Sequence, residues 1–235
     1  MNWTRQVRTW HKWISVVVGL QLLTWTTSGL IFTLDPIDDV RGETYVAAED
    51  APALPDMTSL IPLSAARANA GAETATGAHL AWMRGRWVWV LDVPDKSSIL
   101  VDARHDVVLE SMPAEEAAGI ARTRFTLSDE VASVAAVEHL GGEYKERPMP
   151  AWRVTFADDD ETNIYVDATT GEITAVRSDT WRRFDFFWML HIMDYDNRKD
   201  FHTPLLTGAA VLGVSTALTG LLLAVLVLWP RRRSA

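Results

Sequence analysis

Six histidines are this chain's main stock of side chains able to do chemistry near neutral pH. None of its 235 residues is a cysteine. That excludes disulfides, thiolate nucleophiles, cysteine-ligated zinc or iron–sulfur centres, and covalently attached c-type haem. No nucleophile elbow, phosphate-cradling glycine loop or H-E-x-x-H motif occurs. Carboxylates are plentiful but sit in turns and helix starts, so no acid/base pair stands apart. The run Asp158–Glu161 lacks the D-x-D-x-D-G spacing of a calcium loop and reads as a solvated hairpin tip. His79, His105 and His139 fall at strand starts, turns or connectors and read as surface residues. His11, His191 and His202 are different, because each lies beside a long uncharged run.

Those runs are the elements that must position them. Trp13 to Leu34 is 22 residues without a charge. As a helix it is roughly 33 Å long, enough to cross ~30 Å of hydrocarbon. It is too long for a cleaved signal peptide and ends in no A-x-A-like site. Thr203 to Pro230 is 28 uncharged residues with Trp229 as an interfacial aromatic, followed by Arg231-Arg232-Arg233. All 31 acidic residues lie between Asp35 and Asp200, with 16 basic ones, a net of −15. The remaining six basic residues flank the outer ends of the two runs. The positive-inside rule then puts both termini in the cytoplasm and residues 35–202 outside, in the periplasm if the membrane is a bacterial inner membrane. An acidic body also argues against nucleic acid as a partner. Small and hydroxylated residues stripe both spans: Gln21, Thr24, Thr27 and Ser28 in the first, and Ala209, Gly213, Thr216, Gly220 and Ala224 in the second. These suit packing between the spans or between copies in a dimer.

The body repeats itself. A shift of 65 residues lays Trp87 on Trp152, Ile99 on Ile164, Val101-Asp102-Ala103 on Val166-Asp167-Ala168, and Val108 on Ile173. Each copy reads as a helix, after Pro62 or Pro113, followed by alternating apolar strands. The expected division is a cytoplasmic segment 1–12, a span 13–34, a linker 35–56, repeats 57–112 and 113–180, an aromatic interfacial segment 181–202, a span 203–230 and a tail 231–235.

Helix, strands, and then IYVDATTGEITAV together resemble the PepSY domain, with ILVDARHDVVLES a looser second match. R-x-W-H-K-W-x-S-x-x-x-G-L opens the first span and F-x-W-M-L-H precedes the second. With two copies between them, the chain resembles PepSY-associated transmembrane proteins over almost its whole length. The resemblance implies an α+β extracytoplasmic body of tandem helix-plus-antiparallel-sheet repeats on two transmembrane helices. It also implies a role as a subunit or accessory of a membrane redox or iron-acquisition system. Some members of that family resemble haem-b proteins passing electrons to ferric siderophores, and PepSY domains elsewhere restrain proteases. This chain has two spans where the larger reductase-like members have four or more, which points away from an autonomous electron path.

A b-type haem needs two axial histidines at one depth. His11 lies a membrane thickness from the other two, so it would pair only with a second copy or a partner protein. His191 and His202 flank one surface. On a helix from Trp181 to Asp194, Phe184, Phe187, Trp188 and His191 share a face, and Asp194 lies one turn on, positioned to hold the other ring nitrogen. Two readings stand for this stretch. One is a haem site using His191 and His202 with Trp188 and Asp194 beside them, and the other is an amphipathic helix resting among lipid headgroups. The expected partners are the lipid bilayer and a membrane or periplasmic protein or a second copy.

Overall fold

The computed structural model describes residues 3–49, 51–94, 98–128 and 130–228. Trp229, Pro230 and the arginines Arg231, Arg232 and Arg233 lie outside the described residues. The chain divides into two units, one of residues up to Ile37 with those from Arg182 on, the other Asp38–Trp181.

The first unit contains two helices long and apolar enough to cross a membrane. Helix α1 spans Trp3–Leu34, starting ten residues before the uncharged run. No proline or glycine interrupts the basic segment Arg5–Lys12, so nothing stops the helix there. Thr24 and Thr26 bond carbonyls one turn back in their own helix, leaving no unpaired hydroxyl proton. The short helix α2 (Ile37–Arg41) and then helix α5 (Asp179–Ile192) bracket the second unit in sequence. The last helix, α6, spans Pro204–Leu228 and packs on α1. Thr203 Oγ1 accepts from Leu206 N–H at 3.1 Å and Pro204 takes the first helical position, so its start is well capped.

The second unit is α+β. Helix α3 (Leu63–Asn69) precedes strands β1 (Gly77–Met83), β2 (Arg86–Asp92) and β3 (Ile99–Asp102), an antiparallel sheet in order β1-β2-β3. Helix α4 (Ala114–Arg124) precedes β4 (Val131–Ala136), β5 (Ala151–Phe156), β6 (Asn163–Asp167) and β7 (Ile173–Arg177), antiparallel in order β4-β5-β6-β7. Ala117, Ala121 and Phe125 pack against Val154, Ile164, Val166 and Val176 to form the larger core. Residues 42–47, within the stretch read as a linker, close over that core. Val46 bridges Phe125, and Ala47 N–H donates to Arg124 O at 2.8 Å.

Both helices are entered in the same way. Ile61 N–H donates to Ala103 O at 2.8 Å and Met112 N–H to Ala168 O at 2.7 Å. Trp89 Nε1 donates to Ile61 O at 3.1 Å, and Trp152 Nε1 to Met112 O at 2.9 Å. Trp89, rather than Trp87, therefore does what Trp152 does. Val101 pairs with Trp89 and Val166 with Trp152, so the β5–β6 hairpin is two residues longer. A difference of two preserves which face each side chain points to, so an ungapped overlay still looks right. Arg84, in the β1–β2 turn, ties the two parts together through two bonds of 2.7 Å to the Glu116 carboxylate on α4. That paired guanidinium holds Glu116 below its usual range against the opposing effect of burial.

Candidate functional site

The side chains singled out by chemistry fall in the first unit, at two places along α1. His191 is the penultimate residue of α5, and its Nδ1 lies 2.8 Å from Ser28 Oγ. Ser28 is fully buried, and its hydroxyl donates to Thr24 O at 2.9 Å and Trp25 O at 3.0 Å. A hydroxyl has one proton, and here its own helix carbonyls take it. With that proton on a helix carbonyl, Ser28 Oγ accepts from His191 Nδ1–H, the tautomer that leaves the lone pair on Nε2. Trp25 Nε1 donates to His191 O at 2.8 Å, satisfying a carbonyl that α5 leaves open at its end. The ring of Phe32 meets His191 edge-on at 5.4 Å, and Trp25 lies at 6.3 Å. Phe32 in turn touches Phe184 and Trp188 at 4.7 and 5.9 Å. The aromatic face of α5 is thus seated on α1 through Phe32, with His191 at its end.

His11 repeats the arrangement near the other end of α1. Its Nδ1 lies 2.8 Å from Thr219 Oγ1 on α6, and the Thr219 hydroxyl donates to Ser215 O at 2.8 Å. With the Thr219 proton on a carbonyl of α6, His11 is the donor at Nδ1. Ser15 Oγ sits 3.4 Å from its Nε2. Gly220 lets the ring in, since a Cβ there would stand 3.1 Å from His11 Cε1. Seventeen residues separate His11 from Ser28, roughly 26 Å along a helix.

Asp194 and His202 are placed elsewhere. Asp194 Oδ1 accepts from the N–H groups of Asp196 and Asn197, and its Oδ2 from those of Lys199 and Asp200, each Oδ2 bond being 2.9 Å. The Asp200 and Lys199 amides lead in holding its carboxyl down at about 2. Asp194 therefore folds the α5–α6 loop and does not orient His191. His202 is 94% exposed, with Nδ1 3.6 Å from Asp200. Trp188 Nε1 donates to Arg198 O at 2.9 Å and its ring abuts Phe201, while Arg198 pairs with Asp185. Sequence reasoning missed Ser28 and Thr219 as histidine partners. Ser28 stood in the hydroxylated stripe of the first run, where packing alone accounted for it, and Thr219, next to Gly220 of the second stripe, was not singled out.

An imidazole bonded through Nδ1–H can use its Nε2 lone pair to ligate a metal or accept a proton. Within one chain the residues do not fit a bis-histidine haem. His11 and His191 are too far apart, and His202 points to solvent. Each imidazole supplies one axial ligand at most. Among the described residues no group of three or more histidines and carboxylates is gathered for a metal ion. Gln21 lines a groove of about 770 Å³ between α1 and α6, and its buried Nε2 has no partner among the described residues.

No curated protein and no solved structure matches the chain. The model of the PepSY-associated TM region matches residues 8–235, and the chain belongs to that family.

Proposed function

We propose that this membrane-associated PepSY protein is a non-catalytic subunit of a membrane redox or iron-acquisition system. In this reading both termini face the cytoplasm, and residues 35–202 form a body of two PepSY-like repeats on the periplasmic side of the inner membrane. The matching bonds at Trp89 and Trp152 and at the entries to α3 and α4 support the duplication. The observation that carries the redox reading is the pair of imidazoles at His11 and His191. Each has its Nδ1 2.8 Å from a hydroxyl that also reaches a carbonyl of its own helix.

The same observation favours a second reading, a haem-b electron carrier that works as a dimer or with a partner. His191 or His11 would each supply one axial nitrogen and a second chain the other. Haem would then contribute one-electron chemistry, while Ser28 and Thr219 keep the rings in the ligating tautomer. The test is a visible spectrum of detergent-purified protein, oxidised and dithionite-reduced, for wild type, His11→Ala and His191→Ala. A Soret band in the wild type that weakens or shifts in either variant supports the haem reading. A colourless wild type, purified from cells supplied with haem, rejects it and leaves the accessory reading.

A further inference from the structure

The end of the larger sheet carries a second site of a different kind. Strand β7 pairs with β6 on one side only, and among the described residues no strand pairs with its other side. All five residues of β7, Ile173–Arg177, line a groove of about 590 Å³. Antiparallel residues alternate between facing the partner strand and facing away. Thr162 O bonds Phe156 N–H on β5, so Asn163 and Tyr165 face β7. Their partners Arg177 and Ala175 face back, and Val176 presents its amide to the open side. Its carbonyl there accepts from the neighbouring guanidinium, Arg177 Nη1, at 2.7 Å.

The rim of this groove reverses the charge of the body around it. Arg41, Arg124, Arg147 and Arg177 line it with one carboxylate, Glu43, although residues 35–200 hold 31 acidic and 16 basic residues; Arg124 is engaged by Glu49 at 3.8 Å and by Ala47 O. Arg41 sits 3.7 Å from Glu43, and both are 60% exposed, a weak solvent-screened pair. Arg147 is exposed. Arg177 lies over the Trp181 ring at 4.3 Å, and both residues line the groove. An open strand edge inside a walled, basic groove is the arrangement that accepts an extended peptide as an added strand.

We infer that β7 is a docking edge for an extended, carboxylate-bearing segment of a partner protein, which adds as a fifth strand with its acidic side chains beside the exposed Arg41 and Arg147. Main-chain bonds to β7 supply the affinity, and the arginines choose acidic segments over others. The inference rests on the body alone and stands or falls apart from the imidazole reading.

The test uses the full-length protein in a neutral detergent. The probe is a fluorescein-labelled seven-residue peptide of alternating glutamate and valine, read by anisotropy. The peptide binds, and its lysine-for-glutamate counterpart does not. Binding weakens with salt, and Arg41→Glu or Arg147→Glu, both at exposed positions, lowers affinity about tenfold or more. N-methylation of one alternate set of peptide amides abolishes binding and methylation of the other set does not, because only one set faces β7. Absence of binding, equal binding of the lysine peptide, indifference to both arginine variants, or equal response to the two methylation patterns would each overturn the proposal.

Discussion

Asp194 shows how a residue of the right type at the right spacing can serve another end. One turn after His191 it was positioned to hold the ring, but four backbone N–H groups of its own loop claim both oxygens. Sequence spacing fixes which residues are neighbours along a helix, and α5 ends at Ile192, so the spacing rule lapses before Asp194. The consequence is testable. Its carboxyl is held down at about 2 from an ordinary value of 3.8, so it binds protons more weakly in the folded loop than in the unfolded chain. Its contribution is therefore complete above about pH 4 and lost as pH falls toward 2. Amide exchange at Asp196, Asn197, Lys199 and Asp200 should accelerate together across that window. Asp194→Asn should release one pair, 196 and 197 or 199 and 200, at neutral pH, because an amide NH2 cannot accept where one of the oxygens did. Unchanged protection in the variant would mean that the loop is held by other contacts.

Among the elements, the strands and spans were legible because their signals are strong. Trp87-Val88-Trp89-Val90 alternates as a strand must, and 22 uncharged residues admit little but a span. Strand β4 (VASVAA) was missed because small residues give alternation almost no amplitude. The two-residue difference between the hairpins was hidden for the parity reason that keeps both sheets sound. What could not be read was which hydroxyl meets which histidine, since Ser28 and Thr219 are brought in from helices far along the chain. The equivalence of Trp89 and Trp152 yields a paired prediction. Trp89→Phe and Trp152→Phe each remove one indole bond to a helix-entry carbonyl, at a cost of about 1 kcal/mol beyond any packing loss. Hydrogen exchange should rise at the start of α3 in the first variant and of α4 in the second. Effects at the opposite helix, or at neither, would remove the bonds as a feature common to the two helix entries.

For the whole molecule, the uneven charge decides the expected orientation. In sequence, a body of net −15 lies between two uncharged runs whose outer flanks hold all six remaining basic residues. Cytoplasmic loops are enriched in lysine and arginine, and the bias near the span ends is what sets orientation. Arg5, Arg8 and Lys12 continue α1 as basic helix, which suits an interface with anionic headgroups. The absence of cysteine makes this orientation open to a clean measurement, because a single introduced thiol is the only one present. Asp159 is exposed at a hairpin tip of the body, and Arg5 is exposed on α1. In intact spheroplasts a membrane-impermeant maleimide should label Asp159→Cys and leave Arg5→Cys unlabelled until the membrane is broken. Labelling of Arg5→Cys alone would invert the topology. The β7 groove would then face cytoplasmic partners, and the basic ends would lie outside against the rule that motivates the assignment.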